Sequence, residues 1–106
     1  MGQVIKQAAE VHKIVFACEA GMGSSLIGAN QLKRKLKDAG LAVEVVATAV
    51  HAIPKDADVV VAHAGLAKRA EEAAPTAVVI PFMNFVNNPV YDELVKKLKA
   101  GQPISS

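Results

Sequence analysis

The 106-residue chain lacks several features that would place it in a well-defined class of proteins. It has one cysteine and no tryptophan. A single cysteine cannot form an internal disulfide, so nothing in the sequence requires an oxidising compartment. No apolar run approaches the roughly 18 to 20 residues of a membrane-spanning helix, and residues 1–13 lack the continuous apolar core of a secretory signal. We therefore expect a cytoplasmic protein that does not itself insert into a membrane.

Charge and ligand spacing argue against two further kinds of partner. The formal net charge of +2 is too small to indicate a nucleic acid. We interpret the one basic cluster, residues 33–37, as the solvated face of a helix, with docking of an acidic partner as the alternative. The three histidines and Cys18 are scattered, and no two of them have the spacing of metal ligands. We expect neither a bound metal nor another cofactor.

What the sequence does contain is a repeated alternation of strand and helix patterns. The apolar, β-branched segments that predict strands cover 13–17, 41–49, 58–63 and 77–80. The helical patterns cover 26–39, 65–74 and 90–98. This alternation indicates a single α/β domain whose parallel sheet carries helices on both faces. We assign 12–100 to the domain, 1–11 to an N-terminal tether or linker, and 101–106 to a frayed C-terminus.

The turn between the first predicted strand and the first predicted helix contains the chemically reactive residues. Its sequence is Cys18-Glu19-Ala20-Gly21-Met22-Gly23-Ser24-Ser25. Parallel strands end at a common edge of the sheet, where ligands bind, and a helix N-terminus favours an anion or a thiolate. The glycines let several backbone amides converge, and the serines add hydroxyl donors. We interpret Cys18 as a nucleophile in a phosphate cradle; the alternative is an inert buried cysteine before an ordinary glycine-rich turn.

Several phosphate-binding motifs are incomplete in this loop. A Walker loop needs a lysine after its last glycine, where this chain has Ser24, and the next glycine, Gly28, lies too far along for a dinucleotide fingerprint. The loop also resembles that of the low-molecular-weight tyrosine phosphatases and related arsenate reductases. In those phosphatases an arginine lies six residues after the cysteine, and an Asp-Pro pair supplies the general acid. Ser24 occupies the arginine position and the chain has no Asp-Pro, so a phosphocysteine would be hydrolysed slowly, as suits a carrier.

The segment 14–28 resembles the B domain (EIIB) of mannitol-type enzyme II of the bacterial sugar phosphotransferase system. Its sequence is Ile-Val-Phe-Ala-Cys-Glu-Ala-Gly-Met-Gly-Ser-Ser-Leu-Ile-Gly. The resemblance continues through 39–41, 58–63 and 80–85, and covers roughly 12–98. Ascorbate-type B domains have a related Cys-Gly-Asn-Gly-x-Gly-Ser-Ser loop, so Ala20 and Met22 favour the mannitol type, with the ascorbate type as an alternative.

The resemblance implies both a fold and a function. The fold is a three-layer, Rossmann-like αβα sandwich with a four-stranded parallel sheet in the order 2-1-3-4, similar to the tyrosine phosphatases above. Cys18 would accept a phosphoryl group from a phosphohistidine of the EIIA domain, with 19–25 as the phosphate-binding loop. Phosphocysteine would then phosphorylate a sugar alcohol, expected to be mannitol, in the membrane EIIC domain. The chain would thus be a phosphotransferase component at the inner face of the cell membrane.

Two residues near the same sheet edge are possible accessory groups. His63 ends the third predicted strand and Asn84 follows the fourth. For both, simple hydrogen bonding to nearby backbone is the competing interpretation. Two other functional classes also stay open: a cysteine-dependent small phosphatase or arsenate reductase, and a regulatory domain whose exposed thiol senses redox state or controls a partner.

Overall fold

The computed structural model describes residues 5–18, 24–82 and 89–105, without the side chains of Ser24, Ser25, Phe82 and Ser105. In chain order the strands and α-helices are β1 (Ile5–Lys6), β2 (Lys13–Cys18), α1 (Ser24–Asp38), β3 (Glu44–Ala49), β4 (Val59–His63), α2 (Ala67–Ala73), β5 (Val78–Phe82), α3 (Pro89–Ala100) and β6 (Ile104–Ser105). Short 3-10 helices cover Ala8–Glu10, Val50–Ala52 and Ala64–Leu66.

Four strands form one parallel sheet in the order β3-β2-β4-β5. In the numbering of the four predicted strands this is 2-1-3-4, so the predicted topology is confirmed. Strand β2 lies between two neighbours, with Phe16 beside Ala47 on one side and Val61 on the other. Central parallel strands are covered on both faces, which explains why β2 and β4 are nearly continuous apolar runs.

Alternate residues of each strand face two separate hydrophobic layers. Ile14, Phe16 and Val61 pack in a cluster with the inner faces of α1 and α3. Val15 and Val60 belong to the second cluster, which includes the α2 residues on the other side of the sheet. Because side chains alternate along a strand, each inner strand contributes side chains to both hydrophobic layers. The predicted three-layer αβα arrangement is therefore confirmed.

The fourth parallel strand continues past the proline that was expected to end it. The sequence predicts a stop at Pro81, yet β5 runs to Phe82 and Pro81 pairs in register with Ala62. Proline lacks a backbone N–H and is tolerated where one side of the strand has no partner. Strand β5 is the outermost strand of the four-stranded sheet. On its outer side there is no neighbouring strand of this sheet among the described residues, so the missing N–H of Pro81 costs no hydrogen bond there.

Residues near the two ends of the described chain pair with each other. Ile5 lies opposite Ser105 and Lys6 opposite Ile104 in a small antiparallel sheet. Gly101, at φ +73, follows α3, and the amide of Gln102 donates to the Lys97 carbonyl, which turns the chain back. Ile104 is only 1% exposed and belongs to the larger core cluster. The expectation of a frayed end at 101–106 is therefore wrong for Ile104, because burial of its side chain holds that segment in place.

Candidate active site

Cys18 is the last residue of β2, one of the two inner strands, at the edge of the sheet where parallel strands end. The residue is 8% exposed and forms no disulfide. Its Sγ donates a hydrogen bond to the backbone carbonyl of Thr48 on β3, with 3.3 Å between the two atoms. The predicted nucleophile therefore sits at the sheet edge that binds ligands in open α/β proteins, in contact with the neighbouring strand.

The first helix begins six residues after this cysteine. Helix α1 starts at Ser24, so only a short connection separates Cys18 from the helix N-terminus. The predicted loop residues Glu19, Ala20, Gly21, Met22 and Gly23 lie outside the described residues, as do the side chains of Ser24 and Ser25. Their contribution to phosphate binding stays a prediction.

His63 occupies the corresponding position at the end of the adjacent strand β4. Ala17 and Ala62 are partners in register, so Cys18 and His63 each follow one member of that pair. The Nδ1 atom of His63 accepts a hydrogen bond of 3.1 Å from the Gly65 amide, and His63 thereby caps the 3-10 helix that follows. The ring proton of a neutral imidazole in this arrangement resides on Nε2. Hydrogen bonding to nearby backbone, the competing interpretation for this residue, is therefore observed, while the accessory role stays a prediction.

Asn84, the second possible accessory residue, lies outside the described residues. Strand β5 leads directly to it and ends at Phe82 at the same edge of the sheet, where Phe82 is the register partner of His63. Among the described residues, no group of three or more histidine, cysteine, aspartate or glutamate side chains could hold a metal ion.

The basic cluster of α1 lies away from Cys18, toward the C-terminal end of the helix. Lys33, Arg34 and Lys37 are exposed and line an open groove beside the 40–43 connection. Lys35 instead reaches α3, where its Nζ lies 2.8 Å from Asp92 Oδ1. Asp38 and Glu44 line the same groove, so its charge is mixed. These positions agree with the solvated helix face that we predicted.

One apolar residue at the start of α1, Leu26, is exposed although helical periodicity groups it with buried residues. The pattern puts Leu26 on the same face as Ala29, Leu32 and Leu36. The latter three are buried, but Leu26 is 55% exposed and its neighbour Ile27 is 50% exposed. An apolar pair is thus left on the surface in the first turn of the helix that follows the loop.

Comparisons with known proteins agree with this arrangement. Residues 13–97 match the family model described as "PTS system, Lactose/Cellobiose specific IIB subunit". The chain belongs to this family of IIB subunits of the phosphotransferase system. A lactose-specific IIB domain from Streptococcus pneumoniae has a TM-score of 0.54 over 86% of this chain and 90% of its own, at 17% identity. At that identity, the likeness supports the IIB fold and nothing finer.

Several sequence relatives of this IIB domain are longer proteins with mannitol in their names. It is 53% identical over 91 residues to a mannitol-specific EIICB component of Geobacillus stearothermophilus, covering 86% of this chain and 19% of that protein. It is 40% identical over 102 residues to the mannitol-specific EIICBA component of Escherichia coli, covering 95% of this chain and 16% of that protein. The IIB chain therefore spans about a fifth or less of the length of these relatives. As their names state, they combine the B component with a C component, and in the E. coli protein also with an A component.

Proposed function

We propose that this IIB domain carries a phosphoryl group on Cys18 between a phosphohistidine donor and a sugar alcohol. The observation that supports the proposal best is the position of Cys18 in a chain of the IIB family. The only cysteine in the sequence ends β2, an inner strand, at the edge where open α/β proteins bind ligands, just before the loop that leads to α1. A thiol at such an edge, followed by a glycine-containing loop, suits covalent catalysis with a phosphoryl group.

The first step would transfer the phosphoryl group from an A domain to this chain. The Cys18 sulfur attacks the phosphorus of the phosphohistidine, so an S–P bond forms as the N–P bond breaks. The electron pair of the broken bond stays on the imidazole, and the proton released by the thiol ends on that ring. Such a transfer depends mainly on positioning and on stabilisation of charge on the phosphoryl oxygens. The amides and hydroxyls of the 19–25 loop are the groups we expect to provide this stabilisation.

The second step would pass the phosphoryl group to mannitol held by a C domain. A sugar hydroxyl oxygen attacks the phosphorus, the S–P bond breaks, and the electron pair returns to sulfur as the thiolate leaves. The hydroxyl proton is taken up by the thiolate or by solvent, so the cycle restores the starting cysteine. Mannitol is proposed because the names of several relatives specify it. Fusion of those relatives to C and A components suggests that the partners are an EIIA and an EIIC domain.

The proposal places the domain at the inner face of the membrane, alongside a C component. In the parts of the chain that the structure describes, no helix is long and apolar enough to cross a bilayer. Contact with the membrane would thus be made through EIIC. The exposed pair Leu26 and Ile27, in the first turn of α1, is available to contact either partner when it brings its phosphoryl donor or acceptor toward Cys18.

The experiment that tests the proposal follows the phosphoryl group directly. The chain is incubated with the phosphorylated A domain of a mannitol-specific EIICBA relative, and peptide mass spectrometry locates any added phosphate. We expect one phosphoryl group on Cys18 and none on the Cys18→Ser variant. Addition of mannitol with the C component should then discharge the phosphocysteine and yield mannitol phosphate. A wild-type chain that stays unmodified, or turnover of an aryl phosphate in place of transfer, would contradict the proposal.

A further inference from the structure

A buried tyrosine connects the helix that follows the loop with the strand that carries the cysteine. Tyr91, near the start of α3, has no exposed surface, and neither does Phe16 on β2. Their rings meet edge to face, with centroids 5.6 Å apart and planes at 63°. Phe16 lies two residues before Cys18 on the same face of β2. The Tyr91 ring thus packs against Phe16, which is only two positions before Cys18, the proposed phosphate acceptor.

The third member of this contact is a glycine in α1. Gly28 lies one helical turn after Ser24, where the helix begins. A Cβ atom built on Gly28 would be 2.5 Å from the Tyr91 hydroxyl oxygen and 2.8 Å from Phe16 Cε2. Side-chain carbons essentially never approach other heavy atoms this closely in well-packed interiors. Only glycine therefore allows α1 to lie this near to both rings.

We propose that Tyr91, through its contacts with Gly28 and Phe16, is a positioning residue that sets the start of α1 relative to Cys18. This inference rests on the proposed function, because the position of α1 matters to chemistry only if Cys18 holds a phosphoryl group. We define these three residues as the α1 seat. At the far end of α1, Lys35 pairs with Asp92 of α3, so α3 contacts the helix at two levels.

The physical reason for such a seat is the distance sensitivity of group transfer. Backbone amides at a helix N-terminus stabilise negative charge only within the first turn. A displacement of about 1 Å of a group that stabilises the transition state can cost about 100-fold in rate. A glycine in the middle of a helix is unfavourable by itself relative to alanine. The close approach that Gly28 permits gives this position a reason to lack a side chain.

The test compares two glycine-to-alanine changes near opposite ends of the same helix. Gly28→Ala adds a methyl group to the seat, whereas Gly40→Ala adds one where no atom lies within 4 Å but φ is +74. Both changes should lower the melting temperature, but only Gly28→Ala moves the start of α1. The phosphorylated A domain of a mannitol EIICBA relative serves as donor, and the single-turnover rate at saturating donor is measured below both melting temperatures. We expect a loss of about tenfold or more for Gly28→Ala and less than about twofold for Gly40→Ala.

A second pair of variants keeps the proposal testable if Gly28→Ala folds poorly. Tyr91→Phe removes the atom nearest to the added methyl group, so Tyr91→Phe/Gly28→Ala should recover part of the rate lost in Gly28→Ala. The phosphorus NMR shift of the phosphocysteine should differ from wild type in Gly28→Ala and move back toward it in the double variant. Equal losses of single-turnover rate in Gly28→Ala and Gly40→Ala would contradict the proposed role of the α1 seat. Wild-type NMR shifts and wild-type rates in all variants would contradict it too. If wild-type Cys18 accepts no phosphate, the proposed function fails first and is recognised separately.

Discussion

The two edges of the parallel sheet are built with different kinds of interaction. At the edge where the strands begin, Asp58 precedes β4 and accepts hydrogen bonds at Oδ2 from the His12 and Lys13 amides, 2.7 and 3.0 Å away. Its Oδ1 lies 3.1 Å from Lys6 Nζ. At the edge where the strands end, Cys18 donates one thiol hydrogen bond and His63 caps a short helix. Charge-assisted bonds are roughly twice as strong as neutral ones, so the first edge is suited to stability and the second to chemistry.

The largest effect should come from the edge that carries Cys18 and should be chemical only. Cys18→Ser removes the sulfur nucleophile, so we expect complete loss of phosphoryl acceptance from the A domain. The serine hydroxyl can donate to the same Thr48 carbonyl, so the free energy of unfolding should change by no more than about 1 kcal/mol. Urea unfolding alongside the phosphorylation assay measures both quantities. A variant that is inactive because it is unfolded would contradict the separation of the two edges.

The opposite outcome is expected at Asp58. Asp58→Asn removes the negative charge that three donors share, and hydrogen bonds to a charged group are worth about 1.5 to 3 kcal/mol. We expect the free energy of unfolding to fall by about 2 kcal/mol, while the folded variant still accepts phosphate on Cys18. Asp56→Asn is the matched control, since Asp56 pairs with Lys13 but its side chain is 70% exposed, and it should cost less than about 1 kcal/mol. Equal losses in the two variants would show that Asp58 has no special role.

A moderate effect, on donor binding, should come from the exposed apolar pair. Replacing Leu26 and Ile27 together by glutamine keeps the helix and removes its apolar surface. We expect the donor concentration for half-maximal transfer to rise about tenfold, with the rate at saturation unchanged. Ile5→Gln is the control, because Ile5 is 57% exposed but lies near the other edge. If the donor dependence is unaltered, this surface does not contact the A domain.

The sequence predicted the parts of the molecule that depend on local pattern. Runs of β-branched residues predicted the four parallel strands, and the cysteine-glycine loop predicted the position of Cys18. The Asp58 interactions could not be predicted, because their donors come from positions 6, 12 and 13 and meet the carboxylate only in the folded chain. The burial of Ile104 could not be predicted either, because its two-residue strand is too short to show a hydrophobic pattern. The sequence shows only that Gly28 does not complete a dinucleotide-binding motif. Its packing role depends on the Tyr91 hydroxyl, which lies beside it only in the folded chain.

The pH dependence of stability provides the finest test of the difference between the edges. Burial raises the pKa of Asp58, but the hydrogen bonds from the His12 amide, Lys6 and the Lys13 amide outweigh it and hold the pKa below its ordinary value of 3.8. The folded state therefore binds this proton less readily than the unfolded state does. Its stabilising contribution is complete well above pH 3.8 and is lost as the pH falls through the lower pKa of the folded state. Urea unfolding between about pH 2 and pH 6 measures the free energy of unfolding of wild type and of Asp58→Asn. We expect the difference between these two free energies to become smaller as the pH falls. The other carboxylates are the same in both proteins, so their contributions cancel in the difference. A difference that stays constant with pH would mean that Asp58 acts through packing and not through its charge.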